Sequence, residues 1–291
     1  MGDASLRDAE QLAEKIVSDF GLTLPVDVVE LARNHDILVE AKPSIAAGVS
    51  GMLIRHVNDF AIGYATHVRN EGFQRFSIAH ELGHFFLPGH PEHIFSEGRT
   101  LHESRAGFAS GDPIELQADH FAAGLLMPSS LFAKEAGKYS DGLGAIEKLA
   151  EVCKTSLTAS AIRYAEVTDA AIAVVVSSRS SVDYSFLSPA MLKIKGLTYL
   201  KKGAVLPRDS LTRDFNQTAD NIGSTRRVDG ETDLQSWFRS DGEFDAWEEV
   251  VGLGMYGKTL TVITAEAPDD NDNENEDGGR GWGEPKFSYR R

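Results

Sequence analysis

The sequence has 291 residues, of which 42% are hydrophobic and 25% charged, and these proportions are typical of a globular protein with one large core or two smaller ones. It contains no run of 18 uncharged apolar residues, and its polar, acidic beginning is unlike a secretion signal, so we expect a cytoplasmic protein without membrane contact. Acidic residues outnumber basic ones by 44 to 29, and the net charge of −15 argues against a general electrostatic affinity for nucleic acid.

The first 65 residues are predicted to form two helices followed by strands. Apolar residues recur at helical spacing on both sides of an interruption at Gly21–Pro25, and Ile37–Val39 has the pattern of a strand. Residues 47–64 predict a hairpin or two adjacent strands, because a polar turn divides two apolar runs. The run Phe60–Tyr64 is a candidate sheet edge to which an extended substrate could add as a strand, and ordinary sheet pairing is the alternative.

Helical patterns dominate the next hundred residues. The segment 89–113 interrupts them, since it is rich in Gly, His, Glu and Ser and is typical of a loop. Asp112 is predicted to be the N-cap of the helix that follows this loop. The predicted helices are 76–86, 113–127, 142–152 and 157–166.

Three regions are expected along the chain. Residues 1–168 would form an N-terminal domain, and residues 169–265 a C-terminal α/β module with strands near 170–177 and 259–265. Residues 266–291 are an acidic tail that we expect to be disordered, because eight acids and one base fall between Glu266 and Glu284. The module is large enough for a sensory or substrate-docking domain.

The most informative pattern is HExxH, formed by His80, Glu81 and His84 within a helical run. The histidines are about one helical turn apart, so both imidazoles can reach one tetrahedral metal ion. Glu81 is then placed to take a proton from water that the metal has acidified. The single cysteine, Cys153, excludes a cysteine-based zinc cluster, and chance is the competing explanation for the motif.

A third metal ligand is required, and the sequence offers two candidates. His90 has the spacing used by one class of zinc peptidases, although Leu87 stands where that class needs a glycine. Glu115 is the candidate we favour. Glu115 and Asp119 are four residues apart and face the same way on a helix, so one can bind the metal while the other accepts the outer N–H of a histidine ligand. An ordinary acidic helix start is the alternative for this pair.

Two motifs together resemble those of the ImmA/IrrE family of metallopeptidases. The first is QRFSIAHELGH at residues 74–84, and the second is ELQADHFAAGLLMP at residues 115–128. The similarity also takes in LPVDVV at residues 24–29 and covers roughly residues 8–165. The loop 89–113 departs from the family pattern because it is extended and contains His90, His93 and His102.

The resemblance implies a fold, a site and a function. The fold would be α+β, with a zincin-like core of helices packed on a small mixed or antiparallel sheet. His80, His84 and Glu115 would bind zinc, Glu81 would be the general base, and Asp119 would orient a histidine; manganese is the alternative metal, because two histidines and a carboxylate suit both. Family members are intracellular, and several cut a helix-turn-helix repressor in stress or mobile-element responses. In some relatives a GAF-like domain occupies the place of the C-terminal module.

The sequence is also compatible with other functions and roles. Residues 149–164 have the pattern of a helix-turn-helix, and the second helix carries one base, Arg163. The alternative function is therefore a non-enzymatic regulator that binds DNA or senses a signal, in which the metal site is structural or a relic. Four aromatic residues of the C-terminal module are either pocket-lining or core residues. They are Trp237, Phe238, Trp247 and Tyr256. A second electrophile for peptide hydrolysis could come from Tyr64, His67 or Arg75.

Overall fold

The computed structural model describes residues 3–43, 48–105, 111–241 and 244–266. Helices and two sheets make it a mixed α+β protein, which confirms that part of the expected fold class. The chain divides between residues 167 and 168 into two compact units, and residues 141–143 group with the second. Apart from Glu266, the predicted acidic tail at 266–291 lies outside the described residues.

The first unit combines eight helices with one small sheet in the described residues. Its helices are α1 (Asp3–Asp19), α2 (Val28–Arg33), α3 (Glu71–Phe86), α4 (His90–Ile94), α5 (Pro113–Leu126), α6 (Ser129–Ala136), α7 (Leu143–Cys153) and α8 (Leu157–Val167). Its strands are β1 (Ile37–Lys42), β2 (Gly51–His56), β3 (Asp59–Ala65) and β4 (Leu101–Ser104).

The sheet of the first unit has the order β1-β3-β2-β4. Strand β3 pairs in parallel with β1 and antiparallel with β2, while β2 also pairs antiparallel with β4. The prediction of a substrate-accepting edge at Phe60–Tyr64 is therefore wrong, because this segment is paired on both sides. Among the described residues, the edge strands of this sheet are β1 and β4.

The segment 89–113 is not a simple loop. It contains α4, a short turn of 3-10 helix at Ser96–Gly98, and β4. Strand β4 is only four residues long and is held by pairing with β2, in a register that places His102 opposite Leu53. Such long-range pairing leaves no periodic pattern in the sequence, so the sequence predicts a loop where the structure has strand β4.

Helices α3 and α5 pack closely against each other, and this contact creates the site. Asn70 caps α3 by accepting a hydrogen bond from the Phe73 amide, and the predicted Asp112 cap of α5 is confirmed. A Cβ at Gly83 of α3 would lie 3.1 Å from Ala118 Cα of α5. Because both residues are small, the two helix backbones approach far enough for side chains of one helix to reach those of the other.

The second unit contains one antiparallel sheet of five strands in the order β6-β5-β9-β8-β7. The strands are β5 (Ala171–Ser178), β6 (Ser181–Leu187), β7 (Arg227–Asp233), β8 (Asp245–Gly252) and β9 (Thr259–Ala265). The helices are α9 (Pro189–Leu192), α10 (Leu211–Asn216), α11 (Ala219–Gly223) and α12 (Leu234–Phe238), with a 3-10 turn at Gly254–Tyr256.

The four aromatic residues singled out in the second unit do not form one pocket. Trp237 and Phe238 are buried in its core, where they pack with Leu234 and Met191. Trp247 and Tyr256 are 44% and 64% exposed. The core interpretation therefore holds for the first pair, and the other two are surface residues.

The predicted helix-turn-helix corresponds to α7 and α8, but Arg163, the single base on the second helix, serves the fold. Arg163 is 5% exposed, and its Nε donates to the Met127 carbonyl at 2.8 Å. Its guanidinium also lies 3.1 Å from Glu166 and 3.5 Å from Glu10. In the part of the chain that the structure describes, no helix is both long and apolar enough to cross a membrane.

Candidate metal centre

The three expected metal ligands come together at the crossing of α3 and α5. His80 and His84 are fully buried, and their Nε2 atoms are 3.1 Å apart. Glu115 reaches the same point, with Oε2 at 3.3 Å from His80 Nε2 and Oε1 at 3.4 Å from His84 Nε2. One ligand atom from each of the three residues lies within 4.8 Å of the others.

These distances fit a metal ion bound by two imidazoles and a carboxylate. Ligands about 2.0–2.1 Å from a tetrahedral ion are about 3.3 Å from each other. The two Nε2 atoms are 3.1 Å apart, and each lies at a similar distance, 3.3 or 3.4 Å, from a different oxygen of the Glu115 carboxylate. The set of donors, two nitrogens and one carboxylate, suits a catalytic site that keeps one position open for water or substrate.

Asp119 lies behind His80, as expected for an orienting carboxylate. His80 Nδ1 donates to Asp119 Oδ1 at 2.8 Å, and both residues are about 1% exposed. With its proton on Nδ1, His80 directs Nε2 toward Glu115 and His84.

His90, the alternative third ligand, occupies a different position. Its Nδ1 lies 3.2 Å from His84 Nδ1, on the side of the His84 ring that faces away from Glu115. Its Nε2 lies 3.0 Å from Gln117 Oε1. The structure thus places Glu115, and not His90, beside the two Nε2 atoms.

The carboxylate of Glu81 has an unusual environment. The side chain is fully buried, and neither oxygen has a hydrogen-bond partner among the described residues. Burial raises the pKa of Glu81 to about 7. A buried carboxylate without partners destabilises the fold, so such a group indicates a functional role.

Gly51 on β2 provides the space that this carboxylate occupies. A Cβ at residue 51 would lie 2.6 Å from Glu81 Oε1 and 3.2 Å from Glu81 Cγ. Any other residue at this position would force the carboxylate to move. Sequence reasoning did not identify Gly51, because only the pairing of β2 with its neighbours brings it to α3.

His102 on β4 is a further residue that the motifs did not assign to the site. Its Nε2 lies 3.0 Å from Glu115 Oε1, and its ring centroid is 4.7 Å from that of His84. The side chain is 20% exposed, whereas those of His80 and His84 are at most 1% exposed. His102 therefore lies on the more open side of the centre.

Burial and hydrogen bonding shift the pKa values of the three expected ligands in different directions. Burial lowers the pKa of His84 to about 3. Burial also disfavours a charged His80, but hydrogen bonds to Asp119 and Glu115 outweigh this effect and raise its pKa to about 10. The pKa of Glu115 is lowered in spite of burial by its hydrogen bonds to the surrounding histidines.

The candidates for a second electrophile differ in their surroundings. Arg75 Nη2 donates to the Val26 carbonyl at 2.7 Å and so ties α3 to the segment before α2. His67 is exposed, and Tyr64 is half-buried on β3. The assignment of this role stays a prediction.

An HExxH helix whose histidines meet a glutamate from a following helix defines a candidate centre of the metal-dependent hydrolase class. Residues 34–164 match the sequence model of the Peptidase_M78 family, described as the IrrE N-terminal-like domain. This part of the chain is therefore similar to that family, and the match confirms the resemblance drawn from the two motifs.

Among solved structures, a Mycobacterium tuberculosis transcriptional regulator is similar to this protein. It is 14% identical, the match covers 89% of this chain and 76% of the other, and the TM-score is 0.57. At this identity the similarity shows the fold alone. A comparison with curated protein sequences gives no match.

Proposed function

We propose that this protein is a cytoplasmic metallo-endopeptidase that performs limited proteolysis of a regulatory protein, a helix-turn-helix repressor in a stress or mobile-element response. The match of residues 34–164 to the Peptidase_M78 family model supports peptide-bond hydrolysis as the reaction. The site supports it independently, because it combines a three-residue ligand set with a neighbouring carboxylate whose oxygens make no hydrogen bond among the described residues.

The unpartnered carboxylate of Glu81 carries this proposal. A metal site that only stabilised the fold would need no buried carboxylate beside its ligands. Here the residue next to His80 keeps both oxygens free of hydrogen bonds among the described residues, and Gly51 keeps the space for them. A base that must accept a proton from water needs this free capacity.

The ion would be held by His80, His84 and Glu115, with Asp119 orienting His80. Zinc is the metal we favour, and manganese is the alternative, because both accept two imidazoles and a carboxylate. When bound, the metal supplies Lewis acidity, which polarises the scissile carbonyl and acidifies water. The zincin-like character of the core is part of the same proposal.

The chain's own residues perform the proton transfers. Glu81 accepts a proton from the attacking water at one carboxylate oxygen and later gives it to the leaving nitrogen of the peptide. His102 lies on the open side of the centre and near Glu115, so it is placed closer to an incoming peptide than the buried ligands are. Because the Glu81 side chain is buried, bulk water is excluded around it, and this strengthens its interactions with the reacting groups.

Strand β4 is the edge at which we propose that the substrate binds. In the described part of the chain β4 pairs only with β2, and it carries His102. An extended segment of a substrate protein can add to such an edge through backbone hydrogen bonds. The strand-addition site that we propose is therefore β4 instead of Phe60–Tyr64.

The second unit is proposed to be a sensory or substrate-docking module. Its own five-stranded sheet and core support an independent role. A GAF-like fold for this module remains a prediction from the resemblance to family members.

A second candidate function is a transcriptional regulator without peptidase activity. The similarity to the Mycobacterium tuberculosis transcriptional regulator favours it. The buried position of Arg163 weighs against DNA binding through α8, because a guanidinium that is 5% exposed cannot reach phosphates without unfolding its surroundings. A DNA band shift at moderate salt would favour the regulator.

The test compares the wild type with Glu81→Gln, both loaded with zinc, in an extract of cells that encode this protein. Proteins with new N-termini are identified by mass spectrometry. We expect cleavage products of a repressor with the wild type and none with Glu81→Gln, although both bind zinc. Equal product patterns for the two proteins would refute the proposal, because the variant lacks the base.

A further inference from the structure

A chain of polar groups leads away from the metal centre on the far side of His84, through the buried His90 to the half-buried Gln117. His84 Nδ1 contacts His90 Nδ1 at 3.2 Å, and His90 Nε2 contacts Gln117 Oε1 at 3.0 Å. His90 is 2% exposed, although it lies in a segment that includes exposed residues such as His93. Gly89 adopts a left-handed φ of 83°, and this turn from α3 into α4 brings His90 against His84.

The direction of these hydrogen bonds follows from their final acceptor. Gln117 Oε1 can only accept, so His90 carries its proton on Nε2 and donates it to the amide oxygen. A neutral imidazole with its proton on Nε2 has an acceptor at Nδ1. His84 must then donate from Nδ1, which leaves a free lone pair on His84 Nε2. That atom is the one that faces His80 and Glu115.

We propose that His90, held by Gln117, is a positioning residue that fixes the tautomer and ring orientation of His84 for metal binding. The inference rests on the proposed function, since it assigns an orienting partner to the second histidine of the HExxH motif. Asp119 has the same relation to His80 on the opposite side of the site. Both imidazoles would thus bind the metal through Nε2. The Asp119 carboxylate on α5 orients His80, and the His90 imidazole on α4 orients His84.

This role differs from that of a third ligand and from simple packing. A ligand would direct a nitrogen at the point shared by His80, His84 and Glu115, whereas both ring nitrogens of His90 are engaged elsewhere. A residue that only filled space could be replaced by an apolar side chain of similar volume. The proposed role instead requires a hydrogen-bond acceptor beside His84 Nδ1.

The experiment uses full-length protein and substitutions that either remove or retain the acceptor. His90→Leu removes it, and Gln117→Leu removes the group that sets its tautomer. His90→Asn retains an acceptor at the Nδ1 position, and Gln117→Glu retains the final acceptor. His93→Leu is the matched control, because His93 is an exposed histidine on the same helix.

Two measurements are made on each variant. Long-range proton–nitrogen NMR of the metal-free protein reports which nitrogen of His84 carries the proton. Competition with a chromophoric chelator gives the dissociation constant for zinc. We expect a proton on His84 Nδ1 in the wild type, and a loss of zinc affinity of about 10- to 100-fold in His90→Leu. Gln117→Leu should weaken binding in the same direction, whereas His90→Asn, Gln117→Glu and the control should bind like the wild type.

Zinc binding by His90→Leu as tight as that of the wild type would overturn the inference, as would a proton on His84 Nε2 in the metal-free wild type. If His90→Leu does not fold, Gln117→Leu decides the matter in the same way, because Gln117 is only half-buried. The NMR measurement needs neither metal nor substrate. A wild type that binds no zinc or cleaves nothing would therefore refute the proposed function. The tautomer of His84 would still decide whether His90 positions that ring.

Discussion

Replacing Gly51 with alanine tests the role of Glu81 without changing any titratable group. The new Cβ would lie 2.6 Å from Glu81 Oε1, and ordinary contact begins at 3.4 Å, so the carboxylate must move by about 0.8 Å. It must also move as a unit, because Cγ and Cδ of Glu81 are 3.2 and 3.3 Å from the same point. A misplacement of about 1 Å at a reacting centre costs about 10²-fold in rate.

We therefore expect Gly51→Ala to cleave its substrate about 10²-fold more slowly. Its zinc content should equal that of the wild type, since the three heavy atoms nearest to the added methyl group all belong to Glu81, which is not among the metal ligands. The assay is the initial rate of cleavage of the substrate found by the comparison with Glu81→Gln, at equal zinc loading.

Gly144→Ala is the matched control for this substitution. Gly144 lies in α7 with no heavy atom within 4 Å of an added Cβ. Alanine there should leave the rate unchanged and stabilise the helix by about 0.5–1 kcal/mol. A Gly51→Ala protein that cleaves at the wild-type rate would refute the reasoning, because the position of the Glu81 carboxylate would then not matter for the reaction.

Three further outcomes follow from the structure. Asp119→Ala should weaken zinc binding by about 10- to 100-fold in the chelator competition, and a value equal to the wild type would deny Asp119 an orienting role. Burial raises the pKa of the Cys153 thiol to about 12, so it should resist thiol reagents at neutral pH until urea unfolds the first unit; rapid labelling of the native protein would contradict its burial. Arg163→Leu should lower the free energy of unfolding by about 3 kcal/mol, because Glu10, Glu14 and Glu166 lose their shared partner; unchanged urea denaturation would show that the cluster contributes little.

Local patterns predicted the parts of the site that lie within single helices. The HExxH segment and the Glu115/Asp119 pair are each spaced by about one helical turn, so the sequence predicted both helices and the side chains that share a face. The Asp112 cap was predicted for the same reason, since capping depends on neighbours in the chain. Helix α3 begins at Glu71 rather than 76, because its cap is Asn70.

The parts that could not be predicted depend on contacts between distant residues. The sheet order puts Phe60–Tyr64 in the interior and makes β4 an edge, and no local pattern encodes that order. Gly51 and His102 reach the site only through the pairing of β2 and β4. His90 was recognised as a candidate ligand from its spacing, but its place behind His84 follows from the turn at Gly89.

The central claim is that the first unit holds a catalytic metal at His80, His84 and Glu115. Elemental analysis of protein purified without added metal tests it directly, with the wild type beside Glu115→Ala and Glu81→Gln. We expect about one equivalent of zinc in the wild type and in Glu81→Gln, since a three-ligand site binds one ion and Glu81 is not among its ligands, and almost none in Glu115→Ala. A wild type without metal even after zinc is added back, or a Glu115→Ala variant that retains a full equivalent, would contradict the account.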